Sequence, residues 1–117
     1  MLDKIEYLED GEIRYPITFT LNVMEAVQEE YGSMQGWAKL VQNEEETNIK
    51  ALKFMLVEMI NEGLDIEEKQ EKLTSKQVGR LISKIGIKQT GEKIRRLISR
   101  SLPEIKNSKN VKTTRKV

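Results

Sequence analysis

The chain of 117 residues contains no cysteine and no histidine. The lack of cysteine excludes disulfides and thiolate chemistry, and the lack of histidine removes the commonest general base. No glycine-rich loop follows a predicted strand in a phosphate-binding arrangement, and no acidic spacing resembles a calcium loop. The acidic residues stand instead in solvated runs such as 44–46 and 67–68. We therefore expect no enzymatic activity, no cofactor and no metal.

Long apolar runs and aromatic side chains are also scarce. No run approaches the roughly 18 apolar residues of a membrane span, and the N-terminus lacks the pattern of a signal peptide. Hydrophobic residues make up 38% of the chain and aromatic residues 5%, which suffices for one lean core. We expect a soluble, cytoplasmic protein without a membrane partner. It should form one domain, residues 1–105, followed by a basic and flexible tail, residues 106–117.

The net charge of +1 conceals a strong asymmetry along the chain. Residues 1–75 contain 7 basic and 17 acidic residues, whereas residues 76–117 contain 13 basic and 2 acidic residues. A basic C-terminal part favours an acidic partner or nucleic acid. It equally permits a homo-oligomer in which the acidic half of one copy contacts the basic half of another. In a third interpretation, the two halves neutralise each other within one molecule.

Residues 4–17 predict a β-hairpin, because apolar and polar residues alternate on both sides of an acidic turn that contains Gly11. A two-residue turn would pair Tyr7 with Arg14 and split the apolar residues between the two faces. A three-residue loop, with Gly11 in the left-handed conformation, would instead pair Tyr7 with Ile13. Since this second register places all the alternating apolar residues on one face, we prefer it. An isolated hairpin is marginally stable, so it must pack on the helices.

About five helices follow the hairpin, which makes the predicted fold class α+β and mostly α. The clearest helix start is at Thr74, because Gln77 completes a capping box and Leu73 and Val78 are placed as a hydrophobic staple. The other predicted helix boundaries are cap and breaker residues: Asn22, Gly32, Ser33, Gln42, Asn43, Gly63, Gly86, Thr90 and Pro103.

The central predicted helix begins at the N-cap Asn43 and ends at Gly63. Its apolar residues form one broad stripe at helical spacing: Ile49, Leu52, Met55, Leu56, Met59 and Ile60. Phe54 and Val57 fall on the opposite side, beside Lys50. A helix with apolar residues on two faces must pack against two different things. The second face is covered either by the hairpin or by a partner protein.

This second face supplies the candidate partner-binding residues Phe54, Val57 and Lys50, with Trp37 as a further candidate. Trp37 is the only tryptophan, and its usual role is that of a core residue whose indole N–H is hydrogen-bonded. Both interpretations of Trp37 stay open at this point.

A small DNA-binding protein is the alternative function. The helix, glycine turn and basic helix between Thr74 and Pro103 have roughly the proportions of a helix-turn-helix. The basic side chains available to contact phosphates are Lys88, Lys93, Arg95, Arg96 and Arg100. No aromatic residue is interleaved among them to stack on bases, and the candidate recognition helix has no asparagine or glutamine after its cap for reading adenine.

Two segments resemble the tail assembly chaperones of long-tailed bacteriophages and prophages of Gram-positive bacteria. The first is Tyr15-Pro16-Ile17-Thr18-Phe19-Thr20, which leads into Leu21-Asn22-Val23-Met24-Glu25-Ala26-Val27-Gln28-Glu29-Glu30-Tyr31-Gly32. The second is Leu73-Thr74-Ser75-Lys76-Gln77-Val78-Gly79-Arg80-Leu81-Ile82. The resemblance covers about residues 13–100 and consists of capping boxes and apolar stripes.

The resemblance implies a small, mainly helical, non-enzymatic protein of the infected host's cytoplasm. Members of that family bind the tape measure protein, keep its long helices soluble and help recruit tail tube subunits around it. They are often absent from the finished virion. Many also exist in a longer form that is made by programmed ribosomal frameshifting, and the polar end of this chain after Pro103 would suit such a junction. The family has no catalytic residues to transfer.

Overall fold

A computed structural model describes residues 5–43 and 45–106. It consists of a two-stranded antiparallel hairpin followed by five helices. The elements are β1 (Glu6–Asp10), β2 (Ile13–Ile17), α1 (Leu21–Tyr31), α2 (Met34–Val41), α3 (Ile49–Ile66), α4 (Ser75–Ile85) and α5 (Ile87–Lys106). The predicted fold class, a hairpin on a mostly helical domain, is confirmed. The predicted tail lies outside the described residues, apart from its first residue, which ends α5.

The hairpin has neither of the two registers considered from the sequence. Leu8 lies opposite Tyr15, and Asp10 lies opposite Ile13 across a two-residue loop in which Gly11 has a φ of 64°. The preferred register was wrong because it left Leu8 out of the apolar face. In the observed register Leu8 is buried against the core, whereas Ile13 beside the turn is 54% exposed. Burial of the residues near the helices therefore decided the register, rather than the number of apolar residues on one face.

Helix α3 is the centre of the molecule, as the sequence indicated, but both of its predicted ends were wrong. Asn43 caps a turn in the preceding loop, where its side chain accepts from the Glu45 N–H at 3.0 Å. The helix begins five residues later than predicted, with Asn48 instead of Asn43 as its N-cap, accepting from the Ala51 N–H at 3.0 Å. The backbone N–H of Asn48 donates to the Leu40 carbonyl at 2.9 Å, so contact with α2 fixes this start.

Gly63 does not end α3 but lies buried inside it. A Cβ at this position would stand 2.9 Å from the carbonyl oxygen of Pro16, so only glycine allows β2 to approach this closely. The helix then continues to Ile66. Gly63 thus marks a tertiary contact between the hairpin and the central helix.

The side chains of α3 form the middle of a single core. Eight of its residues are buried: Ala51, Leu52, Met55, Leu56, Met59, Ile60, Gly63 and Leu64. The helix packs against β2, α1, α2 and α4, and every other element adds buried apolar residues to the same cluster. The predicted stripe was correct from Leu52 to Ile60, but Ile49 at its start is 44% exposed.

The remaining helix starts show which local signals decide a structure. The capping box of α4 is confirmed, with the Thr74 side chain accepting from the Gln77 N–H at 3.2 Å and the reciprocal bond at 2.8 Å. Helix α1, in contrast, is capped by Thr20 and not by Asn22. The Asn22 side chain instead donates to the Glu62 carboxylate of α3 at 3.1 Å.

Helix α5 is longer than predicted at both ends. Gly86, with a φ of 105°, ends α4, and α5 begins at the next residue. Thr90 is therefore buried inside the helix, and its N–H donates to the Gly86 carbonyl at 3.0 Å. Pro103 also lies inside α5, close to its end, where a missing N–H interrupts little of the helix.

Candidate functional site

The second face of α3 is only half-buried, and α1 covers part of it. The ring of Phe54 meets the ring of Tyr31 edge to face, with centroids 5.4 Å apart. Val57 is also half-buried against the core, and Lys50 is exposed. These three residues do not form one open apolar surface, because α1 occupies part of the space beside Phe54.

Trp37 belongs to the core and not to a binding surface. Its side chain is 2% exposed, and its indole N–H donates to the Ala51 carbonyl at 2.9 Å. This bond joins α2 to the first turn of α3 and satisfies the indole N–H, as expected of a structural tryptophan. Trp37 is therefore out of reach of a partner in this structure.

The basic residues of α5 divide into two groups. Lys93 pairs with Glu6 of β1 at 3.8 Å, and Arg100 pairs with the same carboxylate. Lys84 of α4 pairs in turn with Asp10 at 3.2 Å. Part of the predicted charge asymmetry is thus compensated within one molecule, where the acidic hairpin lies against the basic C-terminal helices.

Lys88, Arg95 and Arg96 form the second group. Across residues 5–43 and 45–106, none of the ion pairs involves these three cations. Lys88 and Arg96 are exposed, and Arg95 is half-buried. Of the five basic residues that the sequence singled out, these three remain available to an external acidic group among the described residues.

A groove of about 190 Å³ lies where α2 ends and where α3 and α5 begin. We call it the α2–α5 groove, and its lining residues are Val41, Thr47, Leu52, Ile87, Lys88, Gly91 and Arg95. Val41 and Leu52 are buried and form its apolar floor. Lys88 and Arg95 line the same groove on the side of α5.

The same end of the molecule exposes large apolar side chains. Among the described residues, five large apolar side chains are exposed, and three of them lie in or beside the groove: Leu40 at 37%, Ile49 at 44% and Ile87 at 43%. Leu40 directly precedes the floor residue Val41, and Ile49 shares a helix face with Leu52, three residues later. Exposed apolar surface that is gathered beside a groove is typical of a protein-binding site.

Sequence reasoning missed this site because it assigned Ile87 to a turn between two helices. The one signal of this site in the sequence was Ile87 itself. It follows Gly86, which ends α4, and it belongs to no apolar stripe. The groove itself depends on three helix ends that meet in space. The prediction placed two of those ends several residues away from their observed positions at Ile49 and Ile87.

Two other clefts have mainly polar linings. The first, of about 260 Å³, is acidic and lies between α1 and α3. Burial, and then the charge of Glu62, raises the pKa of Glu58 there. The Glu62 carboxylate accepts from the Thr20 hydroxyl at 2.7 Å and from Asn22. Across the residues that the structure describes, no group of three or more acidic side chains is arranged to hold a metal ion.

The second polar cleft, of about 510 Å³, lies between the hairpin and α5. Its wall combines the acidic Glu9 and Glu92 with the basic Lys93 and Arg96. At its other side, the Tyr7 hydroxyl donates to Glu67, which raises the pKa of the tyrosine. Mixed charge on one open wall does not select for a ligand of either sign.

Comparisons with known proteins leave the function to be argued from these residues. No protein-family model, no curated protein and no solved structure matches the chain. Within the described part of the chain, no helix combines the length and the hydropathy that crossing a bilayer requires. Of the sites above, the α2–α5 groove alone combines an apolar floor, exposed apolar residues beside it and cations that pair with no carboxylate of residues 5–43 and 45–106.

Proposed function

We propose that this protein is a non-catalytic assembly factor that binds a helical segment of another protein in the α2–α5 groove. In the biological setting that the sequence resemblance suggests, it is a phage or prophage tail assembly chaperone in the host bacterial cytoplasm. Its partners are then the tape measure protein and the tail tube protein. The observation that carries the proposal is the apolar groove beside the exposed Leu40, Ile49 and Ile87.

An amphipathic helix binds such a groove by inserting apolar anchors spaced at i, i+3, i+4 and i+7. The groove of this protein is bounded by helix ends, so a bound helix would cover side chains that are otherwise exposed to water. Burying apolar surface contributes roughly 25 cal/mol per Å², and the partner's exposed apolar stripe is removed from water at the same time. A chaperone of a long helical protein would act in this way, because it masks the stripe until assembly.

The test of this proposal is co-expression with the product of a very long, coiled-coil-rich reading frame immediately downstream. We expect that product to be insoluble alone and soluble with this protein. The variant Ile87→Ser should lose the effect, whereas Ile13→Ser, which changes another exposed isoleucine at the hairpin turn, should retain it. Solubility that is unchanged by Ile87→Ser would exclude the groove as the binding site.

The earlier candidate residues Phe54, Val57 and Lys50 remain a second possible contact surface for the same partner. Phe54 would become available only if α1 moved away from it, because Tyr31 contacts its ring. The variant Lys50→Glu tests this surface directly, since Lys50 is exposed. Unchanged co-solubility would assign binding to the groove alone.

A homo-oligomer is a further part of the proposal. Three ion pairs already join the acidic hairpin to α4 and α5 within one copy, at Lys84, Lys93 and Arg100. Other exposed cations that form none of the ion pairs of the described residues, among them Lys76 and Arg80 of α4 and Arg96 of α5, are available for contact between copies. Such an oligomer should dissociate as salt is raised, and a monomer at every salt concentration in sedimentation would exclude it.

Binding of duplex DNA is the second candidate function. The exposed Arg96 favours it, because Arg96 forms no ion pair with the residues that the structure describes. If α5 contacts DNA, then binding should fall steeply with salt, and Arg95→Ala combined with Arg96→Ala should abolish it. Lys93 and Arg100 are already paired with Glu6, which leaves fewer free cations for phosphates than the sequence suggested. Duplex binding at moderate salt without any effect of the partner helix would favour DNA over the chaperone.

A further inference from the structure

We infer that the α2–α5 groove selects an acidic amphipathic helix, in which two carboxylates separated by about two turns pair with Lys88 and Arg95 on either side of an apolar anchor. This inference rests on the proposed function, because it specifies the chemistry of the helix that the groove binds. Three properties of the groove carry it: its volume, the spacing of its cations and the position of Arg95 over Gly91.

The volume of the groove matches a side-chain anchor better than a small-molecule ligand. Sites for drug-sized ligands usually measure about 300–1,000 Å³, and this groove measures about 190 Å³. Its floor is apolar, formed by Val41 and Leu52, and the exposed Ile87 extends it towards the solvent. Such a pocket accepts one large apolar side chain of a partner, as the central anchors of protein interfaces do.

The spacing of the two cations sets the spacing of the partner's acids. Lys88 and Arg95 are seven residues apart on α5, which is about two helical turns or roughly 10.5 Å. Carboxylates at positions i and i+7 of a second helix that lies along α5 have the same separation. No carboxylate among the described residues forms an ion pair with either cation. Both are therefore free to bind an external acid.

The Arg95 guanidinium lies over Gly91, which is located between the two cations. Gly91 lines the groove but is buried, and a Cβ placed on it would stand 3.2 Å from the Arg95 guanidinium. A side chain at this position would therefore displace Arg95 from its place in the groove. Since glycine in a helix is less favourable than alanine by about 1 kcal/mol, Gly91 costs α5 some stability.

Charge complementarity selects the acidic partner over the other possible occupants. The basic tail of this chain would be repelled by Lys88 and Arg95. Glu45 and Glu46 are exposed in the loop that contains the groove residue Thr47, and they carry the opposite charge at the other side of the groove. A partner helix fits this charge distribution if its acidic residues face the cations of α5 and none of them faces Glu45 and Glu46.

The test uses the full-length protein and fluorescently labelled peptides of about 20 residues, which is long enough to be helical. One peptide carries leucine anchors at i, i+3 and i+7 with glutamates aligned to the two cations, and its matched control carries lysines at those two positions. Fluorescence anisotropy should show that the acidic peptide binds at least tenfold more tightly. The difference should shrink as salt is raised, because exposed charges are screened.

Charge-reversal variants locate the effect. In Lys88→Glu combined with Arg95→Glu, the preference should invert towards the basic peptide. The control Lys76→Glu combined with Arg80→Glu changes the same charge on α4, outside the groove, and should retain the preference for the acidic peptide. Equal binding of the two peptides to the unmodified protein, or a preference that is unchanged in the α5 double variant, would overturn the inference.

Gly91→Ala separates binding from folding. The new methyl group should weaken binding of the acidic peptide at least threefold, while the thermal midpoint stays the same or rises. If the peptide binds this variant as before, then the position of Arg95 over Gly91 is not part of recognition and the inference is wrong in that respect.

The outcomes also distinguish this inference from the proposed function. If the long helical partner is co-solubilised but the two peptides bind equally well, the chaperone function stands and the preference for an acidic helix is wrong. If the acidic peptide binds selectively but the partner is not co-solubilised, the preference for an acidic helix stands and the partner is a different protein. Self-association that disappears in the α5 double variant would identify a second copy of the chain as the occupant, and would overturn the inference.

Discussion

The two ends of α3 differ in how completely the chain covers them. At the C-terminal end, β2 packs so closely on Gly63 that no side chain fits there, and Tyr7 of β1 is hydrogen-bonded to Glu67. At the N-terminal end, Trp37 of α2 is hydrogen-bonded to the first turn of α3, but Ile49 stays 44% exposed. The closed end holds the fold together, whereas the open end provides the groove.

This difference explains why an apolar second face was a poor guide to the binding site. Phe54 lies in the middle of α3, where neighbouring helices reach it from the side. The α2–α5 groove, in contrast, forms where helices terminate and no further element continues across the gap. Four predictions sharpen the comparison between the closed and the open end, in order of decreasing effect on stability.

The largest effect should follow from a cavity near the middle of α3. Leu56 is fully buried, so Leu56→Ala should lower the free energy of unfolding by about 2–5 kcal/mol. Urea titration followed by the fluorescence of the single Trp37 measures it. The change Ile49→Ala at the open end should cost much less, and equal losses would contradict the incomplete covering of that end.

The second prediction concerns the contact between the hairpin and α3. In Gly63→Ala the new Cβ would stand 2.9 Å from the Pro16 carbonyl oxygen and 3.0 Å from its carbon, so the backbones must separate. We expect a loss of about 1–3 kcal/mol. Gly79→Ala is the control, because its Cβ would meet only the flexible end of Lys53, at 3.3 Å. That variant should be neutral or more stable, and similar losses in both would show that packing on Pro16 is not tight.

The third prediction concerns the connector between α3 and α4. The Asn61 side chain accepts from the Leu73 N–H at 2.9 Å and donates to the Leu73 carbonyl at 3.1 Å. Asn61→Ala removes both partners of a half-buried backbone segment and should cost about 1–3 kcal/mol. Asn43→Ala, which removes one exposed loop hydrogen bond, should change stability by less than about 0.5 kcal/mol. Urea titrations of the two variants test this ranking.

The smallest effect should be a dependence on pH. Burial, and then the charge of Glu62, raises the pKa of Glu58 above its usual value of 4.5. The folded state therefore keeps a proton at pH values where the unfolded chain has released it, and stability falls as pH rises through that window. Glu58→Gln should remove this slope and stabilise the protein at neutral pH by less than about 0.5 kcal/mol. Urea midpoints measured from about pH 4 to pH 7 test it, and an identical slope in the variant would contradict it.

Local sequence signals predicted the parts of the fold that depend on nearby residues. The capping box at Thr74 was correct because both hydrogen-bonded partners lie within three residues of each other. Asn43 and Asn48 are both acceptable N-caps, and only the hydrogen bond from Asn48 to Leu40 decides between them. Glycine is typical of a helix end, but Gly63 is required for the close approach of Pro16, which lies 47 residues earlier in the chain.

The candidate site was harder to predict for the same reason. Its floor combines Val41 and Leu52, which the apolar stripes did indicate as core. Its edge depends on where α3 and α5 start, and those starts depend on contacts between helices. The basic residues were correctly identified as a group, but only the structure separates Lys88, Arg95 and Arg96 from the cations that pair with the hairpin.

The ion pair between Glu6 and Arg100 joins the first strand to the last helix, across 94 residues of sequence. A ribosome that adds about 5–20 residues per second needs roughly 5–20 s to synthesise that interval. Throughout this time the hairpin lacks the cations that neutralise it. The acidic N-terminal half is therefore synthesised first, but its ion pairs with α5 form last. This chain reaches its final structure only when α5 has left the ribosome.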